Sequence, residues 1–475
     1  MNSQVIGYPI LSAQQKKELD KNTIISEPIP SNDLLERACY RIFLSLKNII
    51  KTNHTVDIIC GQGNNGADGL CLARIMAFHG YKICVYKLNI TDKYSIEYLF
   101  QNDLLTHSKI EIKEINKYNC KFFNSSADFI IDAIFGSGLN ATIKNPLDIL
   151  IDKINLSNAY IISIDQPSGL GTWSSFEGPF VRANKTVCIG GITPSIFNRD
   201  YIQDILMIDI GLHQDLSKPL GTFIQFPESD QFIQSLMPKT NRHAHKGMKG
   251  HSLLLGGNKG MSGAIALSAI ACSEVGAGNV TVGSIFNTLN YIDHFPNIQF
   301  LETKLDGQSI DNIDFNKFNA IGIGPGLGIN ANSLAFLSIL LNTIKKIPMV
   351  IDADALNIIG QNKNLISRIP AGSILTPHPK ELTRVFGEFE SQEVQWKHLS
   401  DLAQSMQIHI LAKDTYSVLF CADGEIYANG NGNEKLAKGG SGDTLTGLIT
   451  GLLSQGLSAK DAAICGMYLL GTYRH

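Results

Sequence analysis

The sequence lacks several features that would place it in particular protein classes. Its nine cysteines form no C-x-x-C pair and no zinc-ligand spacing, which argues against a disulfide-bonded secreted domain or a zinc site. No apolar run approaches the length of a membrane span, and segment 1–17 contains no basic stretch followed by an apolar core. The formal net charge of -3 provides no positive field for nucleic acid. We therefore expect a cytoplasmic protein with reduced cysteines and with no membrane or nucleic-acid partner.

The composition that remains is that of a globular protein with more than one domain. A chain of 475 residues with 44% hydrophobic residues can bury two or three separate cores. Segment 214–238 is polar and contains three prolines, so we predict a domain boundary near residue 225. Apolar strands alternate with helices in both halves, which predicts an α/β fold with mostly parallel sheets.

In the first half, glycine-rich loops follow predicted strands. Strand 55–60 leads into loop 61–69 and a helix from Leu70, which is typical of the phosphate-binding turn of a doubly wound sheet. Strands 129–134 and 160–164 end near Asp132 and Asp165. With oxygens of Asn65 and Ser168 nearby, these carboxylates could hold a monovalent cation or share acid and base work. The alternative is that each aspartate only caps a loop.

The second half contains the most informative stretch, 436–447. Its glycines let backbone amides approach an anion, and segment 444–453 then reads as a helix whose positive end faces that anion. A carboxylate at this position is repelled by bound phosphate, so we expect Asp443 to take a proton from a substrate hydroxyl. The alternative is a glycine-rich turn in which Asp443 caps the helix.

Other polar segments of the second half also follow predicted strands, which are 252–255, 320–323, 349–351, 373–375 and 408–412. His243 and His245 resemble a metal pair, but no third ligand stands at a suitable spacing, so a polar loop that contacts phosphate is favoured. Four basic residues suit a polyphosphate ligand: Lys239, Arg242, Lys246 and Lys249.

Taken together and in this order, the motifs resemble those of the bifunctional NAD(P)H-hydrate repair enzymes. The motifs of the first half are Gly63–Gly69, Asp132 with Phe135–Gly138, and Asp165–Gly169. Those of the second half are Lys246-Gly247 with His251, Gly256-Gly257, Gly322–Gly328, Asp352–Asn357, Thr376–Glu381 and Gly439–Asp443. The resemblance implies a Rossmann-like epimerase domain over 1–225, followed by a ribokinase-like α/β dehydratase domain over 226–475.

The resemblance also implies site residues in the first domain. The hydrated nicotinamide dinucleotide, NADHX or NADPHX, would contact Asn64, Asn65, Gly66, Ala67, Asp68, Gly136, Ser137, Gly138, Leu139, Asn140, Ala141, Thr142 and Asp165. Asn65, Asp132 and Ser168 would surround a potassium ion. Asp165 is our candidate for the acid-base group that interconverts the R and S hydrates. Ala67 replaces a usual glycine, a mild change if its backbone angle is negative.

In the second domain, the resemblance implies that the S hydrate contacts Ala264, Gly326, His378 and Asp443. The nucleotide would lie along 433–442, which includes Gly439, Gly440, Ser441 and Gly442, and along Lys413, Asp414, Thr415, Tyr416 and Ser417. Asp443 as base, the glycine amides and a magnesium ion would transfer a phosphoryl group to the C6 hydroxyl, which would then leave as phosphate.

Several points stay open from the sequence. ADP or ATP could be the phosphoryl donor, and we favour ADP. A ribokinase-type kinase for a vitamin alcohol, or an inactive nucleotide-binding protein, are the alternative functions. The resemblance implies further helices after segment 468–471, so we expect the short end to weaken the second domain. We also expect a homo-oligomer.

Overall fold

The structure is a computed structural model that describes residues 7–173, 178–197, 204–213, 219–225, 229–238, 249–284, 294–432 and 438–472. Backbone contacts divide the chain into two compact units. The first unit includes Tyr8–Gly221 and Ser391–Glu393, and the second includes Thr222–Glu390 and Val394–His475. Among the residues within these described ranges, no helix is long and apolar enough to cross a membrane.

The first unit contains five helices and eight strands among its described residues. The helices are α1 (Ala13–Ser26), α2 (Ser31–Leu46), α3 (Asn64–Phe78), α4 (Ile96–Thr106) and α5 (Leu147–Asn155). The strands are β1 (Tyr8–Ile10), β2 (Thr55–Cys60), β3 (Lys82–Asn89), β4 (Glu111–Asn116), β5 (Phe129–Ala133), β6 (Tyr160–Ile164), β7 (Lys185–Ile189) and β8 (Ile205–Ile208). Short 3₁₀ helices occur at Cys120–Phe122 and Pro194–Phe197.

The sheet of the first unit has the strand order β4-β3-β2-β5-β6-β7-β8, and every pair in it is parallel. Strand β5 is buried along its whole length, as expected for a strand covered by helices on both faces. The strand order reverses direction between β2 and β5, and ligands bind beyond the carboxyl ends of strands at such a position. Asn65 follows β2, Asp132 lies near the end of β5, and Asp165 directly follows the next strand, β6.

The second unit contains eight helices and ten strands among its described residues. The helices are α6 (Asp230–Leu236), α7 (Ser262–Glu274), α8 (Ala331–Thr343), α9 (Ala353–Gln361), α10 (Pro379–Phe386), α11 (Gln392–Met406), α12 (Ser441–Ser454) and α13 (Ala459–Thr472). The strands are β9 (Gly221–Ile224), β10 (His251–Leu255), β11 (Asn279–Ser284), β12 (Ile298–Glu302), β13 (Ala320–Ile323), β14 (Met349–Ile351), β15 (Ile374–Leu375), β16 (His409–Ala412), β17 (Ser417–Phe420) and β18 (Ile426–Asn429). Short 3₁₀ helices occur at Ser309–Asn312, Phe315–Lys317 and Lys363–Arg368.

The strands of the second unit are hydrogen-bonded in the order β9-β18-β17-β16-β15-β14-β13-β10-β11-β12. The pairs are parallel except for the antiparallel β16-β17-β18 segment. Helix α7 packs closely on α12, because Gly447 brings α12 against the backbone oxygen of Ser268.

The α/β fold class with mostly parallel sheets is confirmed, and four strands have the predicted bounds: β2, β6, β13 and β14. Two local expectations are wrong. Helix α3 begins at Asn64 rather than Leu70, and α12 begins at Ser441 rather than Thr444. Glycines near a helix start made the sequence look like a longer loop.

Candidate active sites

The first candidate site begins where β2 passes into α3. Gly66 lets the helix start tightly against the preceding turn, since a Cβ there would lie 1.8 Å from the backbone oxygen of Gly61. The tight start places Asn65 in the first turn and Asp68 in the second. Ala67 is helical and is absent from the residues with positive φ, so its replacement of glycine costs no backbone strain.

Asn65 has an unsatisfied side chain. It is only 9% exposed, and both its Oδ1 and its Nδ2 lack a hydrogen-bond partner among the described residues. Gly136 lies between Asn65 and Asp165, because a Cβ on it would lie 3.4 Å from the Asn65 carboxamide carbon and 2.5 Å from Asp165 Oδ2. A buried amide without partners costs free energy, so its retention indicates a ligand at this position.

Asp132 on β5 is fully buried and fully hydrogen-bonded. Its Oδ1 accepts from Ser168 Oγ at 2.6 Å, and its Oδ2 accepts from Ser163 Oγ at 2.8 Å and from the Ser168 amide at 2.9 Å. Burial raises the pKa of Asp132, although these hydrogen bonds oppose the rise. The alternative that Asp132 only caps a loop does not fit, because the residue lies inside the strand and links β5 to β6 and to the loop after β6.

Asp165 follows β6 and has a positive φ of 66°, which is uncommon for a residue other than glycine. Its Oδ1 lies 2.5 Å from Lys16 Nζ, and its Oδ2 accepts from the Ser137 amide at 2.6 Å. Burial raises the pKa of Asp165, but the Lys16 ammonium and the donors of Ser137 outweigh burial, so the pKa lies below its ordinary value. Asp165 is therefore ionised at neutral pH.

Two further carboxylates lie in the electrostatic neighbourhood of Asp165. Burial and the charges of Asp165 and Asp20 raise the pKa of Asp68 well above its ordinary value. Loss of hydration around its carboxyl group and the charge of Asp165 raise the pKa of Asp20 to about 6, although the residue as a whole is exposed. Environments that separate the pKa values of adjacent groups are typical of acid-base sites.

The loop after β5 carries the remaining residues predicted for the first site. Ser137 is buried and donates its amide to Asp165, while Leu139 donates its amide to the backbone oxygen of Gly136 at 3.2 Å. Gly138, Asn140 and Ala141 are exposed, and Thr142 is half-buried. The start of the loop therefore belongs to the Asp165 cluster, whereas its later residues face solvent.

The second candidate site forms around Asp443, in the first turn of α12. The cap residue is Gly440, with a φ of 96° and no side-chain cap, so Asp443 does not cap the helix. Among the described residues, no donor is hydrogen-bonded to the Asp443 carboxylate, while its backbone oxygen accepts from Ser268 Oγ at 2.8 Å. Burial, Asp352 and Asp354 raise the pKa of Asp443 to about 6, and Lys413 opposes them.

Asp352, near Asp443, binds the side chains of Lys413 and Thr446. It is 1% exposed, its Oδ1 accepts from Lys413 Nζ at 2.6 Å, and its Oδ2 accepts from Thr446 Oγ1 at 2.8 Å. A Cβ on Gly442 would lie 3.3 Å from Lys413 Nζ and 3.6 Å from Asp352 Oδ2. The lysine, the buried carboxylate and the start of α12 thus form one cluster.

His378 caps α10 at the edge of this cluster. Its Nδ1 accepts from the amides of Lys380 at 3.1 Å and Glu381 at 3.4 Å, and its Nε2 lies 3.3 Å from Glu381 Oε1. Loss of hydration, and then the Lys413 charge, lower the pKa of His378. His378 is thus a neutral imidazole at pH 7.

Two predicted substrate contacts lie near the β10–α7 and β13–α8 loops. Gly326 has a φ of 60°, and a Cβ there would lie 2.4 Å from the backbone oxygen of Met261, so only glycine fits without strain. Ala264 is half-buried in the first turn of α7, and its amide donates to Met261. The backbone around Met261 therefore connects the two predicted positions.

The predicted nucleotide segment 413–417 is the turn between β16 and β17. Asp414 and Thr415 are exposed, Tyr416 is buried, and Ser417 begins β17. Gly439 is exposed, and Gly440, Ser441 and Gly442 are half-buried at the start of α12. Within the predicted nucleotide segment 433–442, residues 433–437 lie outside the described residues. The same holds for the predicted phosphate-contacting residues His243, His245, Lys239, Arg242 and Lys246.

Comparison with known proteins identifies the family. A family model described as YjeF-related protein N-terminus matches residues 31–195, and one described as NAD(P)H-hydrate dehydratase matches residues 252–473. The bifunctional NAD(P)H-hydrate repair enzyme Nnr of Coxiella burnetii is 30% identical over 467 residues, which cover 96% of this chain and 92% of that protein. The chain belongs to the bifunctional NAD(P)H-hydrate repair enzymes.

A second sequence relative agrees with this assignment. The repair enzyme Nnr of Escherichia coli is 29% identical, over 86% of this chain and 78% of that protein. Among solved structures, the ADP/ATP-dependent NAD(P)H-hydrate dehydratase of Bacillus subtilis, co-crystallised with ATP and Mg²⁺, is 28% identical. The match covers 51% of this chain and 86% of the Bacillus chain with a TM-score of 0.44. The family that the sequence motifs predicted is confirmed.

Within this repair enzyme, sequence reasoning missed functional candidates that become visible only in three dimensions. The ion pair of Lys16 with Asp165 joins residues 149 positions apart, so no local pattern announces it. Asp352 was part of a quoted motif but was not predicted as a site residue. The feature of the sequence that could have indicated Asp352 is an aspartate directly after the apolar strand β14, and in the structure this carboxylate is buried.

Proposed function

We propose that the protein repairs hydrated nicotinamide cofactors in two reactions. Domain 1–225 would interconvert the R and S hydrates of NADH and NADPH, and domain 226–475 would dehydrate the S hydrate with ADP, releasing AMP and phosphate. Membership of the repair-enzyme family along nearly the whole chain supports this assignment. The observation that carries the mechanism is the Asp443 carboxylate, placed without a hydrogen-bond donor among described residues at the amino end of α12.

The dehydration is a phosphoryl transfer followed by an elimination. The C6 hydroxyl oxygen of the hydrate bonds to the terminal phosphorus of the nucleotide while Asp443 accepts the hydroxyl proton and AMP departs. The carbon–oxygen bond then breaks, phosphate leaves with the bonding electrons, and loss of the C5 proton restores the dihydronicotinamide double bond. Hydroxide itself is a poor leaving group, which is why the phosphoryl group is needed.

The residues around Asp443 suit this transfer. The backbone amides of Gly442 and Asp443 in the first turn of α12 can bind the transferring phosphoryl oxygens, since the first turn of a helix points its N–H groups out of the helix end. Lys413 adds a positive charge, which Asp352 holds in place at 2.6 Å. Ala264, Gly326 and His378 are the proposed hydrate contacts, and 413–417 with 433–442 the proposed nucleotide contacts.

Mg²⁺ would supply charge neutralisation on the nucleotide phosphates when bound. In the described part of the chain, no group of three or more His, Cys, Asp or Glu residues could hold a metal ion. Mg²⁺ at a nucleotide is usually held by phosphate oxygens and water, with one or two protein carboxylates. Asp354, whose charge acts on Asp443, is an acidic side chain of this region that could contribute.

Epimerisation needs an acid and a base beside C6. A protonated carboxyl gives its proton to the C6 hydroxyl, water leaves, and the ring nitrogen forms a double bond to C6. A water molecule then adds to the opposite face of C6 and gives a proton to a carboxylate. Asp165, which is ionised, is the proposed base, and Asp68, whose pKa is raised, is the proposed acid.

A potassium ion fits the first site on one observation. Asn65 Oδ1 is buried and has no partner among the described residues, and amide and carboxylate oxygens are suitable ligands for such a hard cation. Asn65, Asp132 and Ser168 would hold the ion. Its charge would orient the loop that begins at Gly136 and so position the hydrate.

Chemically hydrated NADH tests the function directly. Incubation with ADP, and separately with ATP, should restore the absorbance of NADH, and a mixture of both hydrates should be fully converted because the first domain supplies the S form. Recovery of only the S fraction above the enzyme-free rate would reject the epimerase. The absence of recovery with either nucleotide would reject the dehydratase and favour a ribokinase-type kinase or an inactive nucleotide-binding protein.

The proposal also covers the cellular location of the protein and its oligomeric state. We propose a cytoplasmic homo-oligomer, since hydrated cofactors arise where NADH and NADPH are used. Light scattering of the purified full chain measures its mass in solution, and a monomer mass would reject the oligomer.

A further inference from the structure

Lys16 is a buried lysine on a helix that otherwise exposes most of its length. Helix α1 has three buried residues, Lys16, Leu19 and Thr23, which share one face at spacings of three and four. A lysine on such a face loses the hydration of its ammonium group, so it is tolerated only with a close partner. That partner is Asp165, 2.5 Å away.

The local structure fixes the position of Lys16. Ser12 and Gln15 form a capping box at the start of α1, in which Gln15 donates its amide to Ser12 Oγ at 3.2 Å. The amide of Ala13 donates to Thr172 Oγ1 at 3.2 Å, and that of His213 donates to Thr23 Oγ1 at 2.9 Å. Both ends of the helix are therefore tied to other parts of the first unit.

The charges around Asp165 make Lys16 important. Among the described residues, the titratable groups that face Asp165 are Lys16 and Asp20 from α1, Asp68 from α3, and Cys188 from β7. Three of these five groups are carboxyls, counting Asp165, and Lys16 is the one cation among them. Without Lys16, the backbone and side-chain donors of Ser137 would be left, among the described residues, to favour the ionised form of Asp165.

We propose that Lys16 is a positioning residue of the epimerase reaction. Lys16 keeps Asp165 ionised and fixes the position of its Oδ1, so that Oδ2 and the Ser137 amide are directed along the loop at Gly136. This inference rests on the proposed epimerase function. It assigns Lys16 a role through Asp165 and not a contact with the hydrate. The consequence is that one ion pair decides which of the adjacent carboxyls acts as the base.

The test is the pH dependence of epimerisation in Lys16→Met and Lys16→Arg. Methionine keeps the length of the side chain and removes its charge, so the acid limb of the epimerase rate should move upward by about 1–3 pH units. Arginine keeps the charge, and its acid limb should stay near that of the wild type. The S fraction formed from pure R hydrate is measured by chromatography, against an enzyme-free control at each pH.

Two controls separate this role from a structural one. Leu19→Ala, on the same face of α1, weakens packing without changing charge, so its acid limb should not move. The dehydratase rate of each variant, measured on S hydrate, should equal that of the wild type, because Lys16 and Leu19 belong to the first unit. This second activity in the same chain reports whether the preparation is intact.

The outcomes are distinct. An unmoved acid limb in Lys16→Met, with or without a uniform loss of rate, overturns the positioning role. An equal shift in Leu19→Ala overturns it as well, since packing alone would then explain the effect. A wild-type enzyme that never exceeds the enzyme-free rate rejects the epimerase function itself, which is a different result.

Discussion

Asp165 and Asp443 are both proposed bases at the functional edge of a parallel sheet, yet their environments are opposite. Asp165 has a lysine at 2.5 Å and a pKa below its ordinary value. Asp443 has no direct ion pair among the described residues, and burial with nearby carboxylates raises its pKa to about 6. The second unit also has a lysine close by, but Lys413 is paired with Asp352.

The difference between the two carboxylates matches the two reactions. A phosphoryl group carries negative charge and attracts any cation beside it. A base next to that group therefore works better if it does not depend on an ion pair with such a cation. A pKa near 6 also makes Asp443 a stronger base than an ordinary aspartate at neutral pH. The proposed epimerisation passes through a cationic ring intermediate, which an ionised Asp165 would stabilise by charge.

The largest expected effect comes from Asp443→Asn. The amide keeps the shape of the side chain but cannot accept the hydroxyl proton, so the dehydratase rate should fall by about 10²–10⁴-fold. Recovery of NADH absorbance from S hydrate and ADP measures the rate. Epimerisation by the same variant is the control and should be unchanged. Undiminished turnover would show that Asp443 is not the base.

A smaller loss is expected from Asp165→Asn. The epimerase rate should fall by about 10²-fold, near the lower end for a general base, because the neighbouring carboxyls can take over part of its role. Conversion of R to S hydrate, corrected for the enzyme-free rate, is the measurement. The dehydratase rate on S hydrate is the matched control. Loss of both activities would instead indicate that the variant disturbs the whole chain.

The pH dependence of the two activities sharpens the comparison further. Asp443 must be ionised to act, so the dehydratase rate should fall about tenfold for each pH unit below about 6, its folded pKa. The epimerase should keep its rate through the same range, because the pKa of Asp165 is lowered. Short assays between pH 5 and 8 on one preparation measure both. Coincident acid limbs would contradict the contrast between the carboxylates.

Sequence reasoning reached the strand ends and the glycine loops, because apolar strands followed by glycine and aspartate are local patterns. It placed the starts of α3 and α12 too late, since glycines such as Gly66 and Gly442 are poor helix formers by propensity. Gly66 is required in its helix by the close backbone oxygen of Gly61. It could not find the ion pairs of Lys16 and Lys413. Those partners come together only through the tertiary fold, across 149 and 61 positions.

The smallest expected effect is on the stability of the second unit and comes from Gly447, which helps to position the helix of Asp443. The helix of Asp443 is located by packing: a Cβ on Gly447 would lie 2.1 Å from the Ser268 oxygen, so Gly447→Ala must separate α12 from α7. We expect a loss of about 1–3 kcal/mol in the free energy of unfolding of the second unit. Gly263→Ala, on α7 with nothing within 4 Å of the new Cβ, is the matched control and should be neutral or slightly stabilising.

Tryptophan fluorescence isolates this effect to one unit. The chain has two tryptophans, with Trp173 in the first unit and the buried Trp396 in the second, so urea unfolding in a Trp173→Phe background reports the second unit alone. If Gly447→Ala and Gly263→Ala give equal unfolding midpoints, helix packing does not position Asp443. A lowered midpoint together with a reduced dehydratase rate for Gly447→Ala alone would show that this unit replaces the ion pair of the first site with a rigid helix contact.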